Sequence, residues 1–307
     1  MITDSRHPLQ ERFDPQLIAS LRGLSFKARY LTEGFLIGQH RSPFHGFSVE
    51  FSDYRRYQSG DDLRHLDWRL YARSDRLCVR RYMQETNLRF YVLCDTSASM
   101  QYRGVGAWGS KLECAKVVSA ALTWLLLKQN DAAGMITLNG GAEAPEFIRP
   151  SQKPSQFGLM LKQFEALTPG GGPRLSSLLE HAGRLVHRRS VILFVSDLLD
   201  PSDEVLMGFR QLRFLGHDVV VMQVLDRDEI DFPFAEGSVF EDLETGERRA
   251  GSPGTLARAA YLERFKAFMA EYERLFQELD IPHCVITTDA NPSSALAHFL
   301  AHRRRLF

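Results

Sequence analysis

The chain has 307 residues, enough for one large domain or two smaller ones, and 44% of them are hydrophobic, enough for a sizeable core. Lysine plus arginine and aspartate plus glutamate number 38 each, with the two signs interspersed. That balance argues against a nucleic-acid or membrane-surface binder and leaves no charged tail.

Met1 to His7 carries early charges and no apolar core, unlike a signal peptide. The most membrane-like run, Val117 to Leu127, is too short to span a bilayer. Ser119 and Thr123 interrupt it and Lys116 and Lys128 flank it, so it reads as a buried helix. Cys78, Cys94, Cys114 and Cys284 form no CxxC pair, which removes zinc and thioredoxin-like readings. These features point to a cytoplasmic protein without membrane insertion.

Leu17, Leu21, Leu24 and Ala28 recur at helical spacing and predict one amphipathic helix over 13–31. Residues 34–60 are rich in glycine and aromatics, and 55–89 hold nine arginines beside Asp61, Asp62, Asp67, Asp75 and Glu85. Such a segment could face RNA or phosphate. The near-matching acids favour arginine–carboxylate pairs that clamp an irregular segment in place. Residues 1–85 therefore read as an irregular, β-rich N-terminal extension.

From residue 86 onward the periods alternate. Phe90 to Cys94 is a short apolar run stopping at Asp95, as a buried parallel strand should. A helix over 111–129, a strand over 134–138 and helices over 154–167 and 175–187 follow. Val191 to Val195 is the strongest strand pattern, ending at Ser196-Asp197. A helix over 203–215, a strand over 218–224, a long helix over 256–279, a strand over 283–287 and a helix over 293–304 complete the chain. Between Asp226 and Gly251 the pattern breaks; Glu244-Thr245-Gly246 between two short runs predicts a hairpin insertion. Strands alternating with helices imply an α/β, Rossmann-like, doubly wound and mostly parallel sheet over 86–307 with helices on both faces. Such sheets bind ligands beyond the carboxyl ends of their strands, where Asp95 and Asp197 both lie.

Asp95-Thr96-Ser97-Ala98-Ser99 is the candidate site. Mg²⁺ takes six oxygen ligands, waters included. A tight loop can aim Asp95, Ser97 and Ser99 at one point, with Asp197 arriving from another strand. Neutral hydroxyls keep the negative charge low, so a bound ion still seeks an outside ligand such as a partner's Asp or Glu. The plainer reading is that Asp95, Ser97 and Ser99 cap the helix starting near Lys111 and hydrogen-bond their own loop.

Asp95 to Met100 (DTSASM) resembles the metal-ion-dependent adhesion loop of von Willebrand factor A domains. Glu50 to Arg73 (EFSDYRRYQSGDDLRHLDWRLYAR) is a longer and more specific match and resembles the signature of the bacterial family called domain of unknown function 58. The resemblance runs from about residue 34 to the C-terminus. It implies a von Willebrand A-like domain whose relatives often accompany MoxR-type AAA+ ATPases. Adhesion sites usually add a threonine ligand, and relatives often show Gly-Gly-Thr-Asp where this chain has Gly171-Gly172-Pro173-Arg174. Proline supplies no oxygen there. Two occupants of the cation position stay open, a divalent ion such as Mg²⁺ or the Arg174 guanidinium, with Ser176 or Ser177 as substitute hydroxyls. Arg174 and Ser176 are the candidate partner-contacting residues.

The leading expectation is a non-catalytic protein-interaction module that presents this loop to an acidic group of a partner, a MoxR-type AAA+ ATPase or its client. No nucleophile–base pair lies beside the loop in sequence. The alternative is a phosphohydrolase or phosphotransfer enzyme using Asp95. Ser97 stands where such phosphatases place a second carboxylate, and no P-loop motif occurs. A nucleic-acid binder using the arginines of 55–89 and Arg303 to Arg305 is the third class; those tail arginines also suit a helix C-terminus.

Overall fold

The computed structural model describes residues 20–40, 54–56, 71, 73, 77–80 and 88–306, apart from short breaks at 143, 171–174, 201, 235–237, 244–245 and 251–254. The chain divides into two compact units, 39–87 and a larger one formed by 1–38 with 88–307. In the smaller unit, β1 (Tyr54–Arg56) pairs antiparallel with β2 (Cys78–Arg80). Most of its arginines and acids, and so the expected clamp, fall outside the described residues.

In the larger unit the first described helix is α1 (Leu24–His40). The helix expected over 13–31 is interrupted rather than continuous: Ser20 is helical, Leu21 to Gly23 are not, and a separate helix starts at Leu24, while residues 13–19 lie outside the described residues. Gly23, at φ +85°, takes a conformation foreign to a right-handed helix immediately before Leu24. Ala28 and Leu31 are fully buried, and the Thr32 hydroxyl donates to the Ala28 and Ala121 carbonyls. Part of the expected extension therefore builds the core of the larger unit.

The sheet contains β3 (Arg89–Cys94), β4 (Ala132–Thr137), β5 (Glu146–Ser151), β6 (Val191–Ser196), β7 (Asp218–Leu225) and β10 (His283–Thr287). Their order is β10-β7-β6-β3-β4-β5. All neighbouring strands run parallel except β5, which pairs antiparallel with β4. This is the doubly wound, mostly parallel sheet expected from the strand–helix alternation. The unexpected strand is β5. It is a half-exposed edge strand containing Pro150, which edge positions tolerate and central ones do not. Gly134 permits its close approach, since a Cβ there would crowd the Ile148 carbonyl and Pro150 nitrogen.

Alternation along β3 sets the two layers. Phe90, Val92 and Cys94 pack with α1, α2 (Lys111–Lys128), α3 (Ser155–Ala166) and α8 (Ser293–Leu306). Tyr91 and Leu93 pack on the other face with α4 (Leu175–Leu185), α5 (Asp203–Phe214) and α7 (Thr255–Glu278). Every residue of β6 is buried, because helices cover it on both sides. α2 opens with a capping box: the Ser110 hydroxyl accepts from the Glu113 amide, and the Ser110 amide donates to the Glu113 carboxylate. A cap of this kind contributes about 1 kcal/mol.

The expected insertion contains the hairpin β8 (Val239–Glu241) and β9 (Arg248–Ala250). It begins, however, with a short helix, α6 (Arg227–Asp231), capped by Asp226 and Glu229. Among the described residues no helix is long and apolar enough to cross a membrane.

Candidate functional site

The chain leaves β3 toward β4 and β5 on one side of the sheet, then returns to β6 and continues to β7 and β10 on the other. The adjacent pair β3 and β6 therefore forms the topological switch point, where an open sheet leaves a crevice beyond its carboxyl ends. Cys94 lies opposite Val195, and the Asp95 amide donates to the Val195 carbonyl at 2.9 Å. That register places Asp95 and Asp197 side by side.

Four of the six predicted residues meet here. The Ser97 amide donates to Asp95 Oδ1 at 2.8 Å and the Ser97 hydroxyl to Asp95 Oδ2 at 3.1 Å. Ser97 and Ser99 hydroxyls are 3.0 Å apart, and Ser99 donates to Asp197 Oδ2 at 2.7 Å. A 3-10 turn over Ala98–Gln101 carries Ser99 back toward the sheet. Arg174, Pro173 and their loop lie outside the described residues. Ser176 is half-buried in the first turn of α4, and among the described residues no hydrogen bond joins it to the four. The helix-cap reading of the loop does not hold: Ser110 caps α2, and the Asp95 side chain faces Ser97 and Ser196.

Neighbouring loops fix this geometry. Thr96 donates its hydroxyl to the Leu138 carbonyl at 2.7 Å and accepts from the Gly170 amide at 2.9 Å. Gly170 must lack a side chain, since a Cβ would press on the backbone of Gly140. Ser196 donates to Asp95 Oδ2 at 2.7 Å and accepts from the Leu198 amide at 2.9 Å. Leu198 takes a φ of +60°, an uncommon conformation for a side-chain-bearing residue, held here by its full burial. The turn directs Asp197 Oδ1 to the Leu199 amide and leaves Oδ2 for Ser99.

Three residues absent from the sequence-based site, Lys111, Glu229 and Ser196, complete it. Lys111, fully buried at the start of α2, sets its ammonium 2.7 Å from Asp197 Oδ2 and 2.6 Å from Glu229 Oε1. Glu229 also accepts from the Asp226 amide, and its backbone carbonyl accepts from Tyr261 on α7. Burial pushes the Glu229 carboxyl up, against the pull of Lys111. The one sequence signal for Lys111 is its place: a cation in the first turn of a helix opposes the macrodipole. Ser196 left only its adjacency to Asp197.

The electrostatics are uneven. Among the described residues no lysine or arginine pairs with Asp95. Burial, then the charge of Asp197, pushes its carboxyl up to about 7, although Ser196 and Ser97 pull the other way. No three His, Cys, Asp or Glu side chains among the described residues gather as a metal cluster. What the strand ends offer is two carboxylates and two hydroxyls, an all-oxygen set suited to a hard cation such as Mg²⁺ and unsuited to zinc. The uncompensated Asp95 carboxyl is the group that such an ion would relieve.

A family model described as "Protein of unknown function DUF58" matches residues 53–269, most of the chain. The chain belongs to this family. Similar to this member is "Uncharacterized protein Rv1480" of Mycobacterium tuberculosis, 28% identical over 295 residues, covering 95% of this chain and 91% of that protein. "Uncharacterized protein MAV169" of Mycobacterium avium is 25% identical over 132 residues, covering 43% and 76%. Among solved structures, the conserved hypothetical protein BatB of Bacteroides thetaiotaomicron aligns with a TM-score of 0.44 at 14% identity, covering 71% of this chain and 99% of that one. The SpRpn10 VWA domain aligns with a TM-score of 0.42 at 12% identity, covering 68% and 93%.

Proposed function

We propose that this family member is a non-catalytic protein-interaction module that offers the Asp95–Ser99 loop to an acidic group on a partner. The observation that carries the reading is the convergence of Asp95, Ser97, Ser99 and Asp197 at the switch point of the sheet. A hard divalent cation such as Mg²⁺, when bound, supplies the positive charge that draws in a partner's carboxylate. Asp95 and Asp197 would hold it with Ser97 and Ser99, and the hydroxyls leave it electrophilic because they add no charge. The chain's own residues orient the loop: Ser196 holds Asp95, Thr96 ties the loop to the strand β4 side, and Leu198 turns Asp197 inward.

The partner is a MoxR-type AAA+ ATPase or the client it remodels. That choice rests on the family resemblance, and the chain works with such a partner in the cytoplasm. Co-purification of tagged chain with candidate ATPases, with Mg²⁺ and with chelator, tests it. Capture that persists undiminished in the Asp95→Ala, Ser97→Ala double variant would sink the site assignment. An enzymatic role for Asp95 is disfavoured because Ser97 stands where such phosphatases place the acid/base carboxylate. Phosphate release from simple phosphoesters that disappears in Asp95→Asn would reinstate it.

A further inference from the structure

Lys111 is an unusual residue to find beside a cation-binding loop. Its side chain is fully buried, which carries a desolvation penalty, and it stands at the positive end of an 18-residue helix. Both disadvantages are offset by two carboxylates. Asp197 is almost fully buried and Glu229 largely so, with side-chain exposures of 1% and 17%. The two carboxylates of the loop are therefore unequal. Asp197 Oδ2, the oxygen that Ser99 reaches, already carries the ammonium. Asp95 is held only by the Ser97 amide and the Ser97 and Ser196 hydroxyls among the described residues.

We propose that Lys111 is a built-in rival to a divalent cation at this loop, and that Glu229 sets the strength of the rivalry. The inference rests on the cation reading given above. An ion drawing on Asp95, Ser97, Ser99 and Asp197 must share Asp197 with the Lys111 ammonium. Like charges a few ångströms apart in a poorly screened site repel strongly. Glu229 moderates this by drawing the ammonium toward α6. Lys111 thus tunes the site without ligating the ion: it keeps the loop folded when no ion is bound, and it holds divalent affinity low enough for a partner to change occupancy. The same link ties the loop to the start of the hairpin insertion, because Glu229 belongs to α6, which precedes β8.

Two substitutions should move affinity in opposite directions. Lys111→Met keeps an unbranched apolar stem, one atom shorter, while removing the charge. Glu229→Gln leaves the ammonium wholly to Asp197. Mn²⁺ titration of the full chain by calorimetry or electron paramagnetic resonance, with thermal melts to verify folding, reads both. Lys111→Met should tighten Mn²⁺ binding by roughly tenfold or more, and Glu229→Gln should weaken it by a similar factor. Lys111→Arg should resemble the wild type, and adding Ser97→Ala to Lys111→Met should remove the gain. Wild-type binding that is unchanged or weakened in Lys111→Met overturns the rivalry and leaves the cation reading standing. No Mn²⁺ binding in any variant overturns both. If Lys111→Met does not fold, Glu229→Gln decides: unchanged or tighter binding overturns the proposal.

Discussion

Two buried aspartate clusters at strand ends look alike in sequence and differ in construction. Asp226 follows β7 as Asp95 follows β3. Asp226 is closed: its carboxylate accepts from the Gly104 amide at 2.9 Å, the Asp228 amide at 3.0 Å and the Thr288 hydroxyl at 2.6 Å. Two of those donors are backbone groups that cannot turn away. Tyr102 binds Asp228 beside it, and Gly104 leaves no room for a side chain. Among the described residues Asp95 instead faces two hydroxyl rotors, Ser97 and Ser196, and one amide. A carboxylate caged by backbone amides is a structural staple. One held mainly by hydroxyls, which can turn to become acceptors, is able to take a cation. The contrast separates a strand end sealed by backbone donors from one held mainly by rotors.

The comparison can be broken most severely at Gly104. Gly104→Ala puts a Cβ into the Asp226 and Asp228 carboxylates, and it should cost about 3 kcal/mol or more in denaturant unfolding. A loss under about 1 kcal/mol would show that the Asp226 cage is loose. Asp226→Asn should cost about 2 kcal/mol, because one amide-like NH₂ must face a donor that formerly met an oxygen.

Asp95→Asn should act with the opposite sign. The Asp95 carboxyl is pushed up to about 7 by burial and by Asp197, so the folded chain holds that proton more tightly than the unfolded one. Its contribution is fully present below about pH 4 and is lost as pH rises through about 7. Asp95→Asn should therefore flatten that loss, leave stability at pH 7 equal or higher, and still abolish partner capture. Melting curves at pH 5 and pH 8 check it; a variant less stable than the wild type at pH 8 would contradict the unequal charge compensation. Ser97→Ala with Ser99→Ala should cost no more than about 2 kcal/mol while eliminating capture, measured by melting and pull-down in parallel.

The smallest effect is expected at His283, whose ring nitrogen meets Gln223, itself bonded to the Asp197 carbonyl. Burial, then the charge of His298, lowers His283 to about 4. Folding therefore excludes its proton, and this contribution is lost as pH falls from about 6.5 through 4. The stability gap between wild type and His283→Gln should narrow between pH 7 and pH 5 in thermal melts.

Most of the sheet was legible because burial on both faces writes local patterns. Val191 to Ser196 and Asp218 to Leu225 are apolar runs of strand length, and turn residues bound them. The edge strand β5 was not, since Pro150 and half-exposed positions erase that pattern. The break before Leu24–His40 was not legible because apolar spacing continued through Gly23, whose positive φ interrupts a helix that periodicity alone would carry on. The loop residues Asp95, Ser97 and Ser99 were readable as a unit because a tight turn brings near neighbours together.

By itself, then, the sequence determined the alternation of strands and helices, the carboxylates at strand ends and the family signature, since each depends on neighbours within a turn or two. Tertiary structure alone decided that β3 lies beside β6, the adjacency that the expected meeting of Asp95 and Asp197 required. It also brought Lys111 to Asp197 and Glu229, which stand 86 and 118 residues away. Charge compensation across such separations needs no local pattern. It is set by which strand ends the packed sheet makes adjacent, and its only trace in the sequence is a lysine at the wrong end of a helix.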